Sequence, residues 1–350
     1  MQLVPKEPET VILPGVFCDW LSIYQVHPNG GLPIILDGRV RFTDADGVIK
    51  LDIAQKLVHK GSFETSLRLC CDGNRVTFEG NIGRFNRQDN LFGYGVRDCI
   101  SLANTVLAGF GLPPFTDPKP MALNGPSGSD KGFQAVGAVI TRIDLTRNYL
   151  TGSATNAPQV IRYLQGFRSG KFEPRPYRTT GVSWGEGSKW FYAKVYDKAA
   201  DYIRHLSESN TDHDPVLFAW MKENGVVRHE ITLKSRWLKQ KGFWRFSLWD
   251  QTMESRIYAM FGDVIVDSAH VDEYLEIPGR AGELALAWRD GADLRTRLSQ
   301  GTYYKYKKVL LGFGIDISIP ANVTRLNTRL EVIQLVPCEI PQWYALPRVA

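Results

Sequence analysis

The run SKWFYAKVYDKAAD, Ser188 to Asp201, holds two tyrosines and three lysines in an alternating pattern. In a β-strand, alternate residues share a face. One face of this run then carries Phe191, Ala193 and Val195. The other carries Trp190, Tyr192, Lys194, Tyr196 and Lys198. Tyr196 is therefore flanked two residues each way by a lysine. The run reads either as a half-buried strand or as the seat of a nucleophilic phenol.

Three further stretches put a carboxylate on the polar face of an alternating strand. RVTFEGN carries Arg75, Thr77, Glu79 and Asn81 together. VITRIDLTRN carries Arg142, Asp144, Thr146 and Asn148. VVRHEITLK carries Arg228, Glu230, Thr232 and Lys234, with His229 on its apolar side, where a structural role is expected. If these strands join one sheet, Glu79, Asp144, Glu230 and Tyr196 share a surface. Three clustered carboxylates are costly unless a cation sits among them, and hard oxygen ligands suit Mg²⁺ or Mn²⁺. The alternative is a solvated face whose acids pair with Arg75, Arg142, Arg228 and the lysines, as half-exposed antiparallel sheets often show.

The elements that must hold these residues follow from patterning. Strands are expected at 18–26, 137–150 and 225–234, hairpins over 67–81 and around Glu186-Gly187, and helices at 97–111, 157–167, from Lys198 to about 207, and at 214–223. Pro113 to Gly132 reads as a loop. Beyond about Ser235 the segments 247–263, 281–299 and 303–314 read as helical, with a connector at 265–280. The expected fold class is α+β: a catalytic-type domain over 1–235 (core about 18–235) built on a central antiparallel sheet flanked by helices, then a mostly helical region over 236–350.

The 350 residues are 43% hydrophobic, enough for a large core. A net charge of +5 permits a polyanionic partner without requiring one. Five cysteines without a CxxC pair indicate neither a disulfide framework nor a zinc ribbon, and fit a reducing compartment. The start, MQLVPKEPETVILPG, lacks the pattern of a signal peptide, and no apolar run is long enough to span a membrane. GPSGSDKG (125–132) lacks the P-loop spacing, and no HExxH or serine elbow occurs.

The ordered set of motifs resembles the gene II/X family of filamentous-phage replication initiators and, more distantly, the rolling-circle initiators of staphylococcal plasmids. TRIDLT (141–146), TTGVSWGEGSKWFYAKVYDK (179–198) and VVRHEITLK (226–234) occur in the family's order. FEGNIGRFNRQDNLFG (78–93) and YYKYKKVLLGFGID (303–316) resemble its flanking segments. The resemblance implies a nickase or RNA-recognition-motif-like catalytic domain that cuts one strand of an origin. It makes Tyr196 the nucleophile and Asp144, Glu230 and, by a looser match, Glu79 the ligands of Mg²⁺ or Mn²⁺. The His-x-His pair of histidine-cluster nickases is absent, which argues for an acid-liganded metal.

On that reading a 5′-phosphotyrosine forms, a 3′-OH is left to prime synthesis, and the displaced strand is rejoined. Lys194 and Lys198 contact phosphate or phenolate. Tyr192 is read as structural, with a second nucleophile as the alternative. From Arg162 to Lys198 eight basic residues face three acids, an excess equal to the charge of the whole chain. DNA contacts are expected from Arg142, Arg175, Arg178, Lys189, Arg228 and Lys234, with Trp184 stacking on bases and Lys305 and Lys307 in a second basic-aromatic patch of the C-terminal region. The expected partners are double-stranded phage or plasmid origin DNA, the nicked single strand, the host helicase and polymerase, and further copies of the chain on DNA. No membrane is expected, and the place of action is the cytoplasm of a bacterial host. The competing readings are a plasmid initiator or mobilisation relaxase of the same chemistry, and a non-catalytic origin-binding or repressor protein.

Overall fold

The computed structural model describes residues 15–122, 133–169, 171–209, 214–261, 268–271, 277, 279–311, 315–318 and 331–347. The first 14 residues, the stretch 125–132 and most of the 265–280 connector lie outside these. In chain order the main elements are β1 (Phe17–Val26), β2 (Ser66–Asp72), β3 (Arg75–Gly80), α1 (Val96–Gly109), β4 (Ala138–Leu150), α2 (Asn156–Leu164), β5 (Gly181–Trp184), β6 (Phe191–Asp197), α3 (Lys198–Ser209), α4 (Pro215–Glu223), β7 (Val226–Lys234), α5 (Ser235–Lys241) and α6 (Gln251–Ala259).

The strands form one antiparallel sheet in the order β5-β6-β7-β4-β1-β3-β2. Short segments at 34–35, 57–60, 175–176 and 336–337 bring it to 11 strands. The α+β expectation holds. β2 and β3 join through a tight turn in which Gly73 takes φ +94°, a left-handed conformation glycine adopts without a Cβ clash. No helix among the described residues is long and apolar enough to cross a membrane.

One face of the sheet is the apolar core. Ile143 and Leu145 of β4, Ile231 and Leu233 of β7 and Leu21 and Ile23 of β1 pack there with α1 and with Trp237, Leu238, Trp249, Ile257 and Tyr258. In α1, Val96, Cys99, Ile100, Ala103 and Leu107 recur at helical spacing and are the residues buried. His229 points into this side, where its Nδ1 lies 2.7 Å from the Tyr258 hydroxyl, and burial holds its pKa down to about 3.

The chain divides into two compact units, 1–266 with 336–350, and 267–335. An end to the first domain at 235 is therefore too early, because α5 and α6 complete its core. The sequence also missed a small hairpin of Lys119–Ala122 with Phe133–Val136, inside the expected loop, and a projecting ribbon of Gly38–Thr43 with Ile49–Gln55. The second unit holds α7 (Arg280–Arg289), α8 (Leu294–Arg297) and α9 (Gln300–Leu311), packed around Ala285, Trp288, Leu294, Tyr303 and Leu310. A strand at Ser268–Val271 pairs with Glu331–Gln334.

The N-terminus of α1 has no side-chain cap of its own, since its N-cap is Gly95. Instead Glu254, from α6, accepts the Val96 N–H at 2.7 Å. Burial pushes the Glu254 carboxyl up to about 7 from its ordinary 4.5, and Asp98 and Asp250 add to the rise. A carboxyl raised on folding stabilises fully below its unfolded pKa, and that contribution is lost as pH rises through the folded value. The wild-type protein is thus expected to lose on the order of 3 kcal/mol between pH 4.5 and 8 from this group. Glu254→Gln keeps an acceptor for Val96 and removes the titration. Urea melts at pH 5 and pH 8 check this: the loss shrinks in the variant, and an unchanged slope refutes it.

Candidate active site

The polar face of the sheet is not solvated. Asp144, Thr146, Asn148, Arg228, Glu230, Thr232, Tyr196 and Lys198 are all buried. Segment 82–92, α3, α4 and the returning residues 336–347 contribute to its cover, with Leu91, Phe92, Ala199, Tyr202, Leu217, Met221, Val226 and Cys338 forming a second apolar cluster. An acid or cation on this face needs a partner of its own, because burying an unpaired charge costs far more than pairing it returns.

Register places the partners. Lys194 stands opposite Glu230 and Tyr196 opposite Arg228 across β6 and β7, while Thr146 stands opposite Glu230 across β4 and β7. Tyr196 Oη donates to Glu230 Oε1, and Lys194 Nζ lies 2.7 Å from Glu230 Oε2. The same ammonium sits 5.1 Å from the centre of the Tyr196 ring and donates to Tyr177 Oη at 3.3 Å. Burial pushes the Glu230 carboxyl up, but Lys194, Arg228 and the two hydrogen bonds outweigh it and hold it at about 2. Burial, then the nearby Glu230 charge, push the Tyr196 phenol well above its ordinary value. The resting site is a neutral phenol hydrogen-bonded to an ionised carboxylate. Tyr192 is half-buried on the same face, opposite Thr232, with Lys194 between the two tyrosines.

Lys198 begins α3 directly after the strand. Its Nζ donates to Asn90 Oδ1 at 2.9 Å and lies 3.6 Å from Asp201. Burial and Arg228 lower its pKa to about 8, against the pull of Asp201, Asp19 and Glu230. Asp201 also receives Arg178 and Arg204, each at 2.8 Å. The sequence reading missed Asp19, Asn90, Tyr177 and Asp201. Asp201 carried a signal, the i,i+3 spacing from Lys198. Asp19 carried none, because its place depends on a bulge between Cys18 and Trp20 in β1.

The three expected metal ligands do not converge. Asp144 takes a two-pronged contact from Arg142, at 2.8 and 2.6 Å. Glu230 is held by Lys194 and Tyr196. Glu79 lies across β1 from β4 and pairs with Lys56 at 2.5 Å and Arg68 at 3.5 Å. Among the described residues no three His, Cys, Asp or Glu side chains form a metal-holding group. The orphaned groups here are a guanidinium N–H, Arg228 Nη1, and the Thr146 hydroxyl, both buried without a partner. A donor nitrogen beside a hydroxyl suits an anionic oxygen, not a divalent cation. In this arrangement the residues present fit a phosphate better than Mg²⁺ or Mn²⁺.

The expected DNA contacts separate. Arg175 and Lys189 are exposed, and Arg178 is exposed while paired with Asp201. Arg142 is half-buried, and Lys234 donates to the Ser188 carbonyl at 2.5 Å. Arg228 is fully buried, held by Asn148 and by the carbonyls of Asn90 and Leu91. Trp184 is also fully buried, with its indole N–H on the Phe167 carbonyl at 2.8 Å, so it is a core residue and not a stacking surface. In the second unit Lys305 is exposed and Lys307 bonds Ser318 at 2.9 Å.

Comparison with known proteins agrees with the order of these motifs. Residues 33–255 match the N-terminal family of the phage replication-associated protein encoded by gene II, and residues 280–349 match the C-terminal family of the same protein. The replication-associated protein of Escherichia phage If1 is 27% identical, over 79% of this chain and 96% of that protein. A rolling-circle replication initiator structure from Geobacillus stearothermophilus aligns over 70% of this chain and 78% of that one, at 12% identity and a TM-score of 0.25. The first of these family matches alone spans more than half of the sequence: the chain belongs to the gene II family of phage replication-associated proteins.

Proposed function

We propose that this protein is a rolling-circle replication initiator that nicks one strand of its origin with Tyr196 and later rejoins it. The observation that carries the reading is the buried hydrogen bond from Tyr196 to Glu230, with Lys194 locked on the same carboxylate. The family relation supports the class of substrate, origin DNA.

The chemistry balances with the chain's own groups. The Tyr196 oxygen attacks phosphorus in line with the departing O3′, and its proton passes to Glu230. A Tyr–phosphorus bond forms as the P–O3′ bond breaks. Arg228 Nη1 and the Thr146 hydroxyl, both without partners, receive the phosphate oxygens. Lys198 supplies the proton that O3′ needs, and the reverse sequence reseals the strand without ATP. Tyr196 is only 4% exposed. Tyr177, whose ring lies 5.6 Å from that of Tyr196, must therefore move aside as DNA enters.

The test is to incubate the protein with supercoiled DNA of its own replicon and resolve the products on a denaturing gel. A nicked circle carrying covalently attached protein is expected. Nicking without an adduct, or an adduct that survives in Tyr196→Phe, refutes the assignment. The same assay with EDTA, and then with Mg²⁺ or Mn²⁺ restored, reads the metal requirement separately. A non-catalytic origin-binding protein would retard origin DNA and leave it uncut.

A further inference from the structure

Asp19 occupies the bulge in β1 between Cys18 and Trp20, which takes it out of the regular ladder. Two amide side chains from outside that strand fix it. Asn81 Nδ2 and Asn90 Nδ2 both donate to its Oδ1, at 2.8 and 2.9 Å. The Asn90 carbonyl oxygen is left facing Lys198, whose Nζ donates to it at 2.9 Å. A carboxylate, an amide and an ammonium thus run in one line from β1 to the first residue of α3. The amide can face only one way in that line, because Asp19 accepts and Lys198 donates.

We propose that Asp19, acting through Asn90, is a positioning residue that holds the Lys198 ammonium where it protonates the departing 3′ oxygen. The inference rests on the reading of Tyr196 as nucleophile. In an in-line displacement the leaving oxygen departs on the side away from the attacking phenol, so the group that takes the phenol proton cannot serve it. Glu230 and Lys194 are committed to Tyr196. Lys198 is the other buried lysine of this face, two residues further along. The charged groups that act on it are Arg228 of β7, Asp201 of α3, Asp19 of β1 and Glu230 of β7. Its amine is held at about 8, low enough for the ammonium to surrender a proton near neutral pH.

The experiment uses the full chain and oligonucleotides carrying the mapped nick site. One has an ordinary linkage, the other sulfur in place of the departing O3′. A thiolate leaves without a proton, so a defect in protonating the leaving group disappears on the sulfur substrate. Asp19→Asn and Asn90→Ser are expected to slow single-turnover nicking roughly 10²-fold on ordinary DNA, the scale of a lost general acid. On the sulfur substrate both return to within a few-fold of wild type. The alkaline limb of the Asp19→Asn pH–rate profile also moves to lower pH, because the variant no longer favours the ammonium. Equal slowing on both substrates, or no slowing on either, overturns the proposal. Tyr196→Phe is expected to stay inactive on both; activity there sinks the nucleophile assignment instead. If Asp19→Asn fails to fold, Asn90→Ser alone carries the comparison.

Discussion

Tyr196→Phe abolishes the covalent DNA–protein adduct and slows nicking by roughly 10⁴-fold or more, the scale on which removal of a covalent nucleophile acts. The fold survives the change. The phenyl ring keeps its contact with Tyr177, and Glu230 keeps Lys194 at 2.7 Å. What is lost is one hydrogen bond to a charged acceptor, worth about 1.5–3 kcal/mol. The measurement is a denaturing gel for the adduct beside a thermal melt of the same preparation. A variant that melts close to wild type yet forms no adduct gives the expected result. A variant that still forms the adduct shifts attention to Tyr192, the neighbour on the same face.

Glu230→Ala has the larger effect on the fold. The carboxylate is 3% exposed and answers both Lys194 and Arg228. Removing it leaves two cations on a buried face, a loss on the order of 3–5 kcal/mol. The same group predicts a pH dependence. Glu230 has its folded pKa depressed from 4.5 to about 2. Its stabilising contribution is therefore present above 4.5 and lost as pH falls toward 2. Urea melts of wild type between pH 5 and 2.5 should show that fall, and Glu230→Gln should flatten it. Parallel slopes in the two proteins disprove the assignment. Nicking by Glu230→Gln should also be severely impaired, since an amide cannot take the phenol proton.

The main strands and most helices were legible because alternation and helical periodicity report which side faces a core. The polar rows of β3, β4, β6 and β7 were legible for the same reason, as was the structural place of His229. Three things were not. Whether a polar row meets water or protein depends on what covers it, and that cover comes from 82–92, α3, α4 and residues 336–347, distant in sequence. Trp184 and Arg228 look like ligand-binding residues in one dimension and are buried in three. The boundary at 235 failed because the amphipathic faces of α5 and α6 do not say which unit they serve.

The site divides along the same line. The sequence by itself determined which residues share a strand face, so it named Tyr196, Lys194, Lys198 and Glu230 as a set. Only the tertiary structure decided their partners. Strand register put Lys194 opposite Glu230, and a one-residue bulge sent Asp19 toward Asn90 and Lys198. Burial then turned a row of charges into closed pairs, because in a water-poor interior each charge must be answered at contact distance.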